Sequence, residues 1–336
     1  MRIHVWVLAG AAASSVAALT AAEGTAPLQV EIEEWSTPRP ATGRTHPHDP
    51  AVAPDGAAWY TGQQSNVLGR VDPKTGTIKE YPLPTPDSGA HGLVADKDGN
   101  IWYTGNSAAL IGKLDPKTGK VTEYKMPDPK ARDPHTPIFD RSGILWFTVQ
   151  GGNFLGRLDP KTGEIKLKEA PTPRSRPYGI VMDSKGVLFF DEFATNKIGR
   201  IDPATFEIKE YTLPDAAARP RRIALTADDV VWYTDYGRGY LGRLDPKTGA
   251  VKEFRSPGGP DSKPYGIAVD PNGIIWYSES GVEPNTLVRF DPKTGEMRSR
   301  TIPGGGGVVR NMAMAPDGTL WLAESGVDKI ARVRTK

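Results

Sequence analysis

Cysteine is absent from this 336-residue sequence, which excludes a disulfide framework, a thiolate metal site and a lipid-modified cysteine anchor together. A dominant charge is missing as well: 42 basic residues face 40 acidic ones, the net charge is +2, and the two signs are interspersed. Without a basic patch, the composition points away from nucleic acid and anionic membranes and toward small or neutral partners. Long apolar runs are also missing, except at the start. There Met1-Arg2-Ile3-His4 leads into an apolar stretch from Val5 to Leu19, followed by the small residues Thr20-Ala21-Ala22. This order predicts a cleavable export signal over residues 1–22, a mature chain from Glu23, and a soluble periplasmic or secreted protein. The stretch is short for a membrane span.

What the sequence does contain is a repeat. Trp59, Trp102, Trp146, Phe189, Trp232, Trp276 and Trp321 follow one another at intervals of 43, 44, 43, 43, 44 and 45 residues. Around each lies the same pattern, seen in the second unit. An alternating segment, His91 to Asp96, turns at Asp98-Gly99 and returns as Ile101-Trp102-Tyr103-Thr104. A third segment, Leu110 to Asp115, then breaks at Pro116-Lys117-Thr118-Gly119 before a fourth, Lys120 to Tyr124. Each unit therefore encodes about four short strands.

A sheet this small cannot bury both faces alone, and a period in the low forties is met by stacking sheets radially. The fold class predicted is all-β: a single seven-bladed β-propeller over residues 23–336, with the repeated aromatics between blades. The last unit ends after its third strand, Lys329 to Arg334, while Ile32 to Pro38 matches the fourth strand Ile78 to Pro84. The N-terminal strand should complete the last blade, leaving no open edge and favouring a monomer. The Asp-Pro-Lys-Thr-Gly segments beginning at Asp72, Asp115, Asp159, Asp245 and Asp291 read as structural turns.

Propeller ligands bind at a mouth of the central channel. Hairpin geometry about Asp98 would set His91 opposite Gly105 at the open end of the innermost strands. Eleven residues before each aromatic stand His48, His91, His135, Tyr178, Arg221, Tyr265 and Arg310, and three after it stand Gly62, Gly105, Val149, Glu192, Asp235, Glu279 and Glu324. The first set is polar-tipped throughout, so these residues are candidate ligand contacts. The second suggests four carboxylates on one side of the mouth. Pairs such as Arg310 with Glu324 or Arg221 with Asp235 would instead make a structural salt-bridge lining. Beyond the leader, histidine occurs only at His46, His48, His91 and His135.

The segments Pro177-Tyr178-Gly179-Ile180 and Pro264-Tyr265-Gly266-Ile267, with Ile275-Trp276-Tyr277-Ser278-Glu279, resemble the virginiamycin B lyase family of streptogramin lyases over nearly the whole mature chain. The resemblance implies a seven-bladed propeller and ring-opening elimination of an ester without water. It also implies a general-base histidine, a substrate-binding histidine one blade earlier, and a magnesium ion held between carboxylates. Carried onto this sequence, His135 matches the base, His91 the substrate histidine, and Asp133 the carboxylate before the base. Val149 stands where the second carboxylate belongs, while Glu279 and Glu324 fit that carboxylate in blades where Tyr265 and Arg310 replace the base.

Three readings follow for a small-molecule ligand at the mouth. One is a lyase-like enzyme using His135, Asp133 and His91 with a divalent ion. Another is a non-catalytic periplasmic propeller that binds a small ligand or a protein. The third is a transition-metal site made by His48, His91 and His135.

Overall fold

The computed structural model describes residues 28–41 and 43–335. The expected leader, residues 1–22, and the expected mature start at Glu23 lie outside them. Among the described residues, twenty-eight strands, numbered β1 to β28 in chain order, form seven four-stranded antiparallel sheets. The first blade is β2 (Pro47–Val52), β3 (Ala58–Gly62), β4 (Val67–Val71) and β5 (Ile78–Pro82), ordered from the axis outward. Five more follow, with inner strands β6 (Ala90–Ala95), β10 (Pro134–Phe139), β14 (Pro177–Met182), β18 (Pro220–Leu225) and β22 (Pro264–Val269). Among the described residues, no helix is long and apolar enough to cross a membrane.

The seventh blade closes the ring as expected. Its three C-terminal strands, β26 (Val309–Met314), β27 (Leu320–Glu324) and β28 (Lys329–Thr335), are completed by β1 (Val30–Ser36) on the outer edge of β28. The β1–β28 register runs unbroken from Val30 opposite Thr335 to Ser36 opposite Lys329. Trp35 stacks on Trp321 with ring centroids 5.8 Å apart, and Lys329 Nζ meets Glu34 at 2.9 Å.

The core lies between blades. Trp102 packs with Leu145 and Phe147 of the third blade. Trp321 packs with Tyr60 and Val71 of the first, so the last interface is built like the others. Four of the indoles, Trp102, Trp146, Trp232 and Trp276, donate to a side chain six residues earlier. Asp96 Oδ2 accepts from Trp102 Nε1 at 2.9 Å, while Asp96 Oδ1 accepts the Asp98 and Asn100 amides and so fixes the hairpin turn. The Asp-Pro-Lys-Thr-Gly segments are turns: Asp115 Oδ1 accepts the Lys117 amide at 2.9 Å, and Gly119 takes φ +74.

Tyr103 lies flat against Gly112, where an added Cβ would overlap the ring, and its hydroxyl donates to Glu123 at 2.8 Å. Overpacking of such a contact costs about 1–3 kcal/mol. Gly112→Ala should therefore lower the urea midpoint without changing the slope of the transition; an unchanged midpoint would contradict this packing.

Candidate functional site

The inner hairpins do not pair as plain alternation requires. Ala90, and not His91, is opposite Gly105, and the register slips between Ala90 and Leu93. The first, third, fourth, sixth and seventh blades show the same slip, while in the fifth Arg221 alone is the extra residue. This is a β-bulge, which bends the strand and re-aims its side chains. In the first blade, His48 and Asp49 together face Thr61. Thr61 Oγ1 accepts the Asp49 amide at 3.0 Å and donates to the His91 carbonyl of the next blade at 2.8 Å. Thr104 and Thr148 repeat the bridge. At Gly92 an added Cβ would collide with the His135 carbonyl, so the close blade contact requires glycine there.

Each bulge thus delivers two successive residues to the axis. The first of each pair forms the expected ring. His48 and His91 have ring centroids 3.6 Å apart, His91 and His135 3.9 Å, and His135 and Tyr178 3.7 Å. Tyr178 and Tyr265 join hydroxyl to hydroxyl across the intervening blade. The Arg221 guanidinium lies over Tyr265 at 3.9 Å, Tyr236 at 4.2 Å and Phe193 at 4.5 Å. Arg310 lies close enough to His46, His48 and His91 to disfavour their protonation. All seven ring residues therefore come together.

The second residues of four pairs, Asp49, Thr136, Arg222 and Asn311, make a network that the ring positions alone do not reveal; in the other three pairs the second residue is glycine. Arg222 crosses the axis: its Nη2 meets Asp49 Oδ1 at 2.8 Å, its Nη1 donates to Thr136 Oγ1 at 3.1 Å, and its Nε donates to the Arg310 carbonyl at 3.2 Å. Asn311 Nδ2 donates to Asp49 Oδ2 at 2.9 Å, and Asp49 also bonds His48 Nδ1 at 2.8 Å. Blades one, three, five and seven are tied together by this one group. The signal for it was a charged residue directly after a ring position, at Asp49 and Arg222.

The four later carboxylates do not join the mouth. Each shares a strand face with the residue two positions earlier, Phe190, Tyr233, Tyr277 or Leu322, because side chains alternate with period two, and that face lies between blades. Asp235 pairs with Arg238 at 2.7 Å and not with Arg221. Glu279 accepts from Ser256 Oγ and the Gly258 amide, each at 2.6 Å, and from Thr286. Glu324 lies beside Glu34 and Lys329 rather than pairing with Arg310, and Glu192 lies beside Glu210. Burial, with the neighbouring glutamate adding to it, pushes both Glu192 and Glu324 up to about 8.

Asp133 takes a left-handed φ of +62 and accepts from Gln150 Nε2 at 3.0 Å, while its Oδ1 is buried without a partner. Burial raises it to about 6 against the pull of Arg176. Val149 is fully buried in the interface with the second blade. Among the described residues, the group whose atoms approach as metal ligands would is His48, Asp49 and His91, all within 4.8 Å of one another; it could hold an ion. His135 is not part of it, and Asp49 already serves Arg222 and Asn311.

Burial, followed by nearby arginine or imidazole groups, holds His48, His91 and His135 well below the ordinary histidine value, so they are neutral at neutral pH. His135 Nδ1 is bonded to Thr136 Oγ1 at 2.9 Å, and its Nε2 has no partner. Asp191 occupies the place of the bridging threonines. It accepts the Gly179 amide at 2.9 Å, and burial pushes it up to about 8.

A profile of the virginiamycin B lyase family matches residues 26–259. No curated protein sequence matches the chain. A solved streptogramin B lyase structure is 29% identical with a TM-score of 0.82, covering 92% of this chain and 98% of its own. The virginiamycin B lyase of Staphylococcus aureus is 28% identical with a TM-score of 0.80, covering 91% and 99%. A catalytically inactive histidine-to-alanine variant of that enzyme with quinupristin gives 28%, 0.81 and the same coverage.

Two pH effects of opposite sign follow. A histidine held low in the folded state adds stability above the unfolded value of about 6.5 that is lost as pH falls below it. His135→Gln should reduce the acid-side slope by up to about 1.4 kcal/mol per pH unit; an unchanged acid limb would refute neutral burial. For Asp191, raised to about 8, stability is full below the unfolded carboxyl value and is lost as pH rises toward 8. Asp191→Asn should flatten that fall, and a parallel curve would show that Asp191 is ionised when folded.

Proposed function

The chain belongs to the virginiamycin B lyase family, and we propose that its channel mouth receives a small ester or lactone and opens it by elimination, with His135 as the base. The observation that carries this reading is a neutral imidazole with an unpartnered Nε2, oriented by the Thr136 bond to its other nitrogen. Nε2 would take the proton from the carbon beside a carbonyl. That electron pair forms a carbon–carbon double bond, and the alkyl–oxygen bond breaks to leave a carboxylate, with no water consumed. His91 and the other ring residues, His48, Tyr178, Arg221, Tyr265 and Arg310, would contact the ligand.

A magnesium ion does not fit the residues present. Hard cations take several oxygen ligands, but Asp133 stands alone beside the aliphatic Val149, and Glu279 is saturated by its own hydrogen bonds. Glu324 lies between blades, away from the axis. The nitrogen-rich His48, Asp49 and His91 set suits a transition ion better, yet an ion there would have to displace Arg222 from Asp49. No step is assigned to a metal.

A second reading is favoured by the burial of His135, which is 1% exposed and packed between His91 and Tyr178. A base so enclosed cannot reach a guest until the plug opens, and a mouth that stays closed would bind without turnover. Export to the periplasm or beyond, and action as a monomer away from membranes and nucleic acid, belong to this proposal. They rest on the leader-like first residues and the balanced charge.

Incubation with a type B streptogramin should yield an isomer of unchanged mass carrying a new double bond. His135→Ala and His91→Ala should abolish its formation in folded protein. Recovery of intact lactone from the wild type, or turnover undiminished in both variants, would overturn the elimination reading.

A further inference from the structure

Within the described residues, the axis carries three guanidinium groups against one ionised carboxylate partner. Arg222 is paired with Asp49, whereas Arg221 and Arg310 form no ion pair. The Nε–H groups of both are buried with no hydrogen-bond partner. Buried donors are ordinarily satisfied, and their convergence at one place marks a missing acceptor.

Arg221 is not loose: Phe193, Tyr236 and Tyr265 surround its guanidinium within 4.5 Å, and Tyr178 lies 5.5 Å away. Cation–π contacts of this kind hold the plane of the group without supplying an acceptor to its Nε–H. Arg310 stands two blades on, with Tyr265 on the blade between, and its own carbonyl is fixed by Arg222 Nε at 3.2 Å. Acidic side chains near the axis do not neutralise them: Asp49 serves Arg222 and Asn311, Asp235 serves Arg238, and Asp191, which feels Arg221, is pushed up to about 8 by burial.

We propose that Arg221 and Arg310 form an oxyanion site at the channel mouth that binds a small organic carboxylate, the planar guanidinium forks taking its two oxygens. This deepens the elimination reading, because the bond broken there leaves a carboxylate, and Arg221 and Arg310 would receive that charge as it forms. The binding claim nevertheless stands on the unpaired guanidinium groups alone.

The test is calorimetric titration and thermal shift of the full chain with benzoate and, separately, inorganic phosphate. Benzoate should bind and raise the melting temperature. Arg221→Gln and Arg310→Gln should each weaken it by about tenfold or more, the usual loss for a charge-assisted pair. Arg221→Lys, which keeps the charge and removes the fork, should also weaken it; where a glutamine variant does not fold, this variant and competition by chloride on the wild type report instead. No benzoate binding by the wild type, binding of phosphate alone, or undiminished benzoate binding in the folded arginine variants would overturn the proposal. Benzoate binding without lactone turnover would leave this site standing and remove the elimination reading. Lactone turnover together with benzoate binding undiminished in the folded arginine variants would do the reverse.

Discussion

Ring closure is the constraint on which this molecule depends. A four-stranded sheet presents two apolar faces, and each face here is covered only because a neighbouring blade stands against it. The pairing of β1 with β28 supplies the outermost strand of the last blade from the opposite end of the chain, and Trp321 then packs against Tyr60 and Val71 as Trp102 packs against Leu145 and Phe147. With the circle complete, seven equivalent strand ends face one axis. Residues separated by more than 170 positions, such as Asp49 and Arg222, come within hydrogen-bond distance there.

The bulge converts that geometry into chemistry. A regular strand would send alternate residues to the axis, whereas the bulge sends two in succession and produces an upper ring and a lower network. The lower network pairs Arg222 with Asp49 and spans the axis. The upper ring is left with neutral imidazoles, two tyrosines joined through their hydroxyls, and arginines without counter-ions. Burial keeps the imidazoles uncharged, so positive charge at the mouth resides on guanidinium groups that cannot lose it at any physiological pH.

The repeat, the blade number, the closure and the seven ring positions were legible in the amino-acid sequence because each follows from spacing. Thr61, Thr104 and Thr148, by contrast, carry no functional pattern, yet their hydroxyls stitch each bulge to the next blade. Asp49 and Arg222 were hidden for a related reason. Strand alternation places the residue after a ring position on the opposite face, and only the bulge returns it to the axis. The same alternation shows why Glu279 and Glu324 are not at the mouth: each follows the orientation of the buried residue two positions before it, Tyr277 or Leu322, into the space between blades. Val149 for a carboxylate and Tyr265 for a base were visible as departures from the family pattern, and the structure shows what replaced that arrangement, a closed, cation-rich plug.

The link across the axis is tested most directly by a double-mutant cycle on Asp49 and Arg222, measured as unfolding free energy. Asp49→Asn and Arg222→Gln should each cost about 3 kcal/mol by leaving a buried charge unpaired. The double variant should cost less than their sum, with a coupling above about 1 kcal/mol. Strict additivity would show that blades one and five do not meet on a shared axis through this pair, contradicting the arrangement from which the site is built.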